Sequence, residues 1–285
     1  MNSRIISAVE LDDELLRQDI EKILGFGDVK EEYSEYRFGT WKNYVLWNGS
    51  GDEKDTLFEG TRGGAVKTGF GRQLEYVSPV IEENFRTERL KMVRANLLRD
   101  AVLVPHRDYV EFKEDSSRLA RLHIPLQTDR TSLHAEGDDV FHMRRGEVWY
   151  LDVSNIHSAC NMSDSPRISL VLDFCLDGQP LETAFKHPER HRARREPLMV
   201  EREPVDEEFL KSIFSMGHVI NHVNYRDIVL FLSRIHFYKD VSLDVFFDWL
   251  IRICQGAQDK SLVEKSVRFK RYMIDKRELS QRFAL

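Results

Sequence analysis

The stretch "VLVPHRDYVEF", residues 102–112, decides how the chain is read. It runs apolar, sets His106 and Asp108 two residues apart, and turns apolar again. In a strand, a side-chain period of two puts both on one face of the sheet. Either would cost free energy if buried alone, so the two meet buried partners or bind something together. A neutral imidazole and a carboxylate are both good ligands for ferrous iron. A second histidine would complete a two-histidine, one-carboxylate facial triad with three open positions, two for a bidentate cosubstrate and one for dioxygen.

The third ligand should come from a distant strand that returns beside the first. "WYLDVSNIHSACN" (149–161) offers His157, 49 positions beyond Asp108 and just after a clean strand; His123, His134 and His142 are the other candidates. Ten residues past His157 stands Arg167, opening the strand "RISLVLDF". An arginine deep in a barrel needs an anion, and its planar fork suits a carboxylate. Ser169 shares its face and could donate to the same group. His-x-Asp, a distal His and then Arg-x-Ser is the site arrangement of an iron(II), 2-oxoglutarate-dependent dioxygenase, with Arg167 on the far carboxylate of 2-oxoglutarate. His-x-Asp alone is weak in a chain with ten histidines; the combination is what points to this chemistry.

The rest of the chain agrees. At 285 residues, 41% apolar and 32% charged, it is an ordinary globular composition for one large domain or a domain with a smaller partner. The net charge of −6 gives no hint of nucleic-acid binding. No apolar run approaches the roughly 20 residues that span a bilayer. Acids occupy the N-terminus where a signal peptide needs an apolar core, and three scattered cysteines suit a reducing cytoplasm. HExxH, GxSxG and the phosphate-cradling GxxxxGK[ST] are absent.

Residues 5–11 read as a strand, followed by a helix with Leu15, Leu16, Ile20, Ile23 and Leu24 on one stripe. A strand then fills 38–53 and ends in a Gly/Ser turn, and 75–87 suits a helix. From about 88 to 175, short apolar segments alternate with turns, the texture of a jelly roll. "KHPERHRARREP" (186–197) reads as a solvated linker, after which the pattern is helical, with Ser242 as an N-cap and Ser261 with Glu264 as a capping box. The expected organisation is a mainly β catalytic jelly roll (double-stranded β-helix) over 1–185, a linker over 186–204 and a helical subdomain over 205–285.

The stretches "WKNYVLWNGSG", "VPHRDYVEF", "FHMRRGEVWYLDVSNIHSACN", "RISLVLDF" and "NYRDIVLFLSRIHF" resemble the bacterial hydroxylases of free L-proline, within the aspartyl/asparaginyl β-hydroxylase-like group. The resemblance covers nearly the whole chain. It implies a double-stranded β-helix with a helical C-terminal part, iron(II) held by His106, Asp108 and His157, and 2-oxoglutarate on Arg167 with dioxygen as co-reactant. It also implies that Arg121 of "RLARLHIPL" binds the substrate carboxylate and that His123 sits near the cosubstrate. "TWKN", the serine of "RIS" and the stretch from "LVEK" to "ELSQRF" lean toward cis-3 rather than cis-4 hydroxylation; pipecolate and related imino acids stay open as substrates.

His134 and His142 flank a turn and are candidates for substrate contact; Trp149 reads as core; nothing marks Cys160 as a nucleophile. Trp41, Lys42 and Asn48 are implied only by the resemblance as a lid. The expected partner is a small amino acid, with neither nucleic acid nor membrane, and a homodimer is left open. Two other readings remain: hydroxylation of an aspartyl or asparaginyl side chain in a protein, and a non-catalytic jelly-roll module for metal or sugar, which would have no use for Arg167 or Ser169.

Overall fold

The computed structural model describes residues 1–29, 34–56, 64–108, 118–190, 195–278 and 281–285. Strand β1 (Arg4–Ala8) and helix α1 (Asp13–Gly25) open the chain. Next come β2 (Arg37–Asn48), β3 (Val66–Lys67), α2 (Gly69–Gln73) and α3 (Val77–Asn84). The body of the sheet is β4 (Leu90–Leu103), β5 (Leu119–Gln127), β6 (Ser132–Glu136), β7 (Asp139–His142), β8 (Glu147–Leu151), β9 (His157–Asn161) and β10 (Arg167–Cys175). Beyond it lie β11 (Leu198–Met199), β12 (Glu203–Pro204), α4 (Glu207–Ser215), α5 (Tyr225–Ile235), β13 (Lys239–Asp240), α6 (Phe246–Gly256) and α7 (Lys260–Lys270), which runs into a π-turn over Arg271–Asp275.

The large sheet is antiparallel, in the order β1-β8-β5-β10-β4-β9-β6-β7-β11, with β2 attached to β4 and β3 to β2. It curls because β4 belongs to both halves. Its residues 90–98 pair with β10, whereas Ala101 and Val102 pair with β9. A bulge in β2 marks the bend: the register against β4 shifts between Phe38 and Thr40, with Gly39 at φ +82°. A Cβ on Gly39 would meet the Asp100 carbonyl at 1.9 Å, so only glycine fits there. The result is a jelly-roll half-barrel with helical additions.

Helices cover both convex faces. Under the larger half, α1 and α3 pack Leu16, Ile23, Val77 and Ile81 against Val93, Leu122, Leu170 and Leu172. Under the smaller half, the C-terminal helices pack Val229, Leu250 and Phe269 against Val102, Leu133 and Ala135. The 205–285 segment therefore shares a core with the sheet. The stretch expected as a solvated linker is tied into the fold where described, β11 pairing with β7 and β12 with β13, although the residues of both strands are exposed. Residues 191–194 lie outside the described residues.

Three local expectations change. In α1 the buried stripe is Leu16, Asp19 and Ile23, whereas Leu15 and Leu24 are exposed. Asp19 is buried because its Oδ2 accepts the backbone N–H groups of Tyr76 and Val77 at 2.9 and 2.8 Å, satisfying the start of α3. The N-cap of α7 is Asp259, which accepts from Ser261 N at 2.9 Å, so Ser261 and Glu264 do not form the expected capping box. Ser242 caps the short 3-10 turn ahead of α6 rather than α6 itself.

Candidate metal centre and its surroundings

The strand expected across 102–112 ends at Leu103; of the remainder, 104–108 are described and 109–112 are not. His106 and Asp108 lie past the strand yet still face one way. His106 N–H donates to His157 O at 3.0 Å, His106 O accepts from His157 N–H at 2.9 Å, and Asp108 N–H donates to Val153 O at 2.9 Å. Between them, Arg107 turns its N–H the other way, to Met273 O at 3.1 Å. The segment is thus extended, wedged between the approach to β9 and the C-terminal π-turn.

His106, Asp108 and His157 each offer one ligand atom, all within 4.8 Å of one another. His106 Nε2 is 3.6 Å from Asp108 Oδ1, and His157 Nε2 is 3.8 Å from Oδ2. Both imidazoles have Nδ1 against a backbone carbonyl, Val104 O at 2.7 Å and Asn155 O at 3.0 Å. A carbonyl only accepts, so Nδ1 carries the proton and Nε2 presents its lone pair to the cluster, the usual outer-shell arrangement for metal-binding histidines. Burial, with His157 beside it, pushes His106 down to about 3, keeping it neutral. Burial opposes ionisation of Asp108, but the Arg121 guanidinium and the two imidazoles hold it well below the usual carboxylate range. A neutral His106, His157 with its Nε2 turned to the cluster and an ionised Asp108 carboxylate fit a divalent first-row ion such as iron(II), with positions left open.

The concave face around the cluster is polar although buried. Alternation on β4 and β10 sends Val93, Ala95, Leu97, Leu170 and Leu172 to the helices, and Arg94, Asn96, Arg167, Ser169 and Asp173 to the inside. Arg167 is buried, and its described hydrogen bond runs from Nη1 to the Leu133 carbonyl at 3.1 Å. Among the described residues no carboxylate lies within ion-pair reach of it. Desolvation pushes its pKa down to about 10. Ser169 Oγ, His123 Nδ1, His134 Nδ1, Asn43 Oδ1, Asn96 Oδ1 and Arg94 Nε are all buried with no hydrogen-bond partner among the described residues. Such a concentration of orphaned polar atoms is not expected of a finished core. Burial holds the pKa values of His123 and His134 well below the ordinary histidine range, with Arg121 beside His123 and His157 beside His134. The His134 ring is stacked 5.9 Å from His157 and lies 6.4 Å from His123.

Several expected roles shift. Arg121 does not present an open fork: Nε donates to Asp173 Oδ1 at 2.7 Å and Nη1 to Asp108 Oδ2. His142 sits opposite Leu133 on β6, one residue out of step with Phe141 and His134, so it faces away from the cluster; its Nδ1 donates to Ser132 O at 3.0 Å. Trp149 is core, as read from sequence, stacked on Phe141 and donating to Glu147 at 2.9 Å. Burial raises the Cys160 thiol to about 12, so it is no nucleophile. Of the lid candidates, Asn48 knits the 48–55 turn, accepting from Gly51 N and donating to Asp52 O and Asp55 O. Lys42 pairs with Asp28 at 2.7 Å, and Trp41, opposite Leu98, shares the face of Asn43. Sequence reading missed Arg94, Asn96 and Asp173; the signal was the polar alternation of "VRAN", and in "SLVLD" a weaker one, Ser169 and Asp173 on one face with Val171 between them.

The curled antiparallel sheet, with a His–Asp–His cluster on its concave face, defines a jelly-roll protein built to hold a catalytic metal. The aspartyl/asparaginyl β-hydroxylase family model matches residues 10–176, and the L-proline 3-hydroxylase C-terminal model matches 182–281. The chain belongs to the aspartyl/asparaginyl β-hydroxylase family. It is 37% identical to L-proline cis-3-hydroxylase 1 and 35% identical to L-proline cis-3-hydroxylase 2, both of Streptomyces sp, covering 100% of this chain and 99% of each relative. It is also 29% identical to the L-proline cis-4-hydroxylase of Rhizobium meliloti (strain 1021), covering 98% of both chains.

Proposed function

We propose that the protein is an iron(II)- and 2-oxoglutarate-dependent dioxygenase that hydroxylates free L-proline, giving cis-3-hydroxy-L-proline. The observation that carries the reaction class is Arg167: a buried guanidinium without a described carboxylate, sharing the concave face with the His106–Asp108–His157 cluster. The full-length relatives named as cis-3-hydroxylases support the substrate and the position. The buried, inward-facing site suits a small molecule better than a protein side chain.

In this reading His106, Asp108 and His157 hold the iron, and Arg167 takes the distal carboxylate of 2-oxoglutarate bidentately. Ser169 Oγ, on the same face of β10, donates to that carboxylate, and His123 and His134 line the space between. Bound iron(II) and 2-oxoglutarate supply the activation of dioxygen and the replacement of a C–H by C–OH. The chain's own contribution is placement, which aligns one C–H bond and keeps water out. With Arg121 committed to two carboxylates, Arg94 is the guanidinium assigned to the proline carboxylate: its side chain is 21% exposed and its Nε has no described partner.

The test is turnover of 2-oxoglutarate with iron(II) and L-proline, with the product read by NMR. Proline-dependent succinate and a cis-3 product are expected. A cis-4 product overturns the regiochemistry, and the absence of any proline-dependent succinate overturns the substrate.

A further inference from the structure

Asp173 is fully buried on β10, 65 positions from Asp108 in sequence, and no part of the reaction above uses it. Its two oxygens are divided between arginines on the two flanking strands. Oδ1 accepts from Arg121 Nε and Oδ2 from Arg94 Nη2, each at 2.7 Å. The register explains this: Asp173 lies directly opposite Arg121 on β5 and opposite Met92 on β4, so Arg94 reaches it along the diagonal. The other arm of the Arg121 fork, Nη1, holds Asp108 Oδ2. Four charges of alternating sign, Arg94, Asp173, Arg121 and Asp108, thus cross the sheet to the metal cluster.

We infer that Asp173 is a positioning residue for the metal-binding carboxylate. It acts through Arg121, and the inference rests on the metal reading of the site. Asp108 lies beyond the end of β4, in a bend outside any strand, so ladder packing does not fix its side chain. Arg121 and Asp173 are both in ladder strands. Their fork-to-carboxylate bond passes the rigidity of the sheet to Asp108, as a supporting shell must if a ligand is to be held to a fraction of an ångström. Because Arg121 occupies Oδ2, Asp108 turns Oδ1 toward His106 Nε2, 3.6 Å away. Arg94 in turn fixes the second oxygen of Asp173, so that it cannot swing away from Arg121.

Charge and geometry must be separated in the test. Asp173→Asn removes a negative charge near the cation and also loosens Arg121, and both effects weaken metal binding. Arg121→Lys keeps the charge and loses the fork, so it reads geometry alone. The probe is Co(II) alone, titrated calorimetrically into metal-free full-length protein well below the thermal midpoint, with the visible spectrum of the Co(II) form recorded. Both variants are expected to bind Co(II) about 10- to 100-fold more weakly, the usual effect of removing an outer-shell partner, with altered Co(II) bands. If Asp173→Asn does not fold, Arg121→Lys decides the matter. Wild-type affinity and spectrum in Arg121→Lys, whatever its thermal midpoint or proline KM, overturn the positioning role. If the wild-type protein itself fails to bind Co(II), the metal reading falls first.

Discussion

Replacing Arg167 by methionine should move stability and cosubstrate binding in opposite directions. The guanidinium is buried, its described hydrogen bond goes to a backbone carbonyl, and desolvation lowers its pKa from 12.5 to about 10. At about 1.36 kcal/mol for each factor of ten in acidity, the buried charge costs about 3 kcal/mol of folding free energy. The folded value lies below the unfolded one, so this penalty is in full force at neutral pH and fades only as the pH rises past about 10. Methionine fills a similar volume without charge and removes the penalty. It also leaves the Leu133 carbonyl without its donor, which costs about 1–3 kcal/mol. The net expectation is a ligand-free protein about 1 kcal/mol more stable, a rise of about 2 °C in thermal midpoint for a chain of this size. Binding should fare the other way. Loss of a desolvated pair with a carboxylate costs on the order of 2–5 kcal/mol, so the KM for 2-oxoglutarate should rise by about 1.5 to 3.5 decades. In a thermal-shift assay, a ligand at about 100 times its Kd stabilises by about 2.7 kcal/mol. Wild type should show that response to 2-oxoglutarate, and Arg167→Met should not. A destabilised variant that still responds like wild type would refute the reasoning.

Asp108→Ala should lose Co(II) binding and proline hydroxylation together; normal turnover in that variant would remove Asp108 from the ligand set. Arg94→Gln should raise the KM for proline at least tenfold while changing that for 2-oxoglutarate much less, as read by initial rates with each ligand varied, whereas equal losses would mean that Arg94 shapes the site without touching substrate. His142→Ala, on the far face of the smaller half of the sheet, should leave both KM values within about twofold. A large rise in the proline KM would return His142 to the substrate list.

The residues that read clearly from sequence were those whose spacing carries chemistry. His106, Asp108 and His157 come together as their order and distances suggested, and Arg167 with Ser169 lies on the same concave face because both sit on one strand two residues apart. Less legible was anything decided by pairing across strands. Arg121 looked like a substrate anchor because one strand shows only that an arginine faces inward. That Asp173 stands directly opposite it is a fact of the β5–β10 register. His142 looked equivalent to His134 because both flank the same turn, yet the β6–β7 register places them on opposite faces. Asp19 interrupts an otherwise apolar stripe for a similar reason: the partners that justify its burial, Tyr76 and Val77, are more than fifty residues away.

The opening stretch shows how the two kinds of information combine. A period of two put His106 and Asp108 on one side, and they are on one side, but no ladder strand holds them there. Their N–H groups point to His157 and Val153, while both backbone groups of Arg107 between them are taken by the C-terminal segment: its N–H by Met273 O, and its carbonyl by Arg277 Nη2 at 3.0 Å. Arg277 is itself buried, with its guanidinium 5.3 Å from the Tyr36 ring, and that ring packs edge-on against His106 at 5.0 Å. A tripeptide outside any strand would fray if one side of it met water. Here the last helix, through its π-turn, does the work of a neighbouring strand. The helical segment that sequence alone sets apart from the catalytic barrel is therefore a wall of the metal site, and its packing on the sheet and the geometry of the ligands are one structural problem.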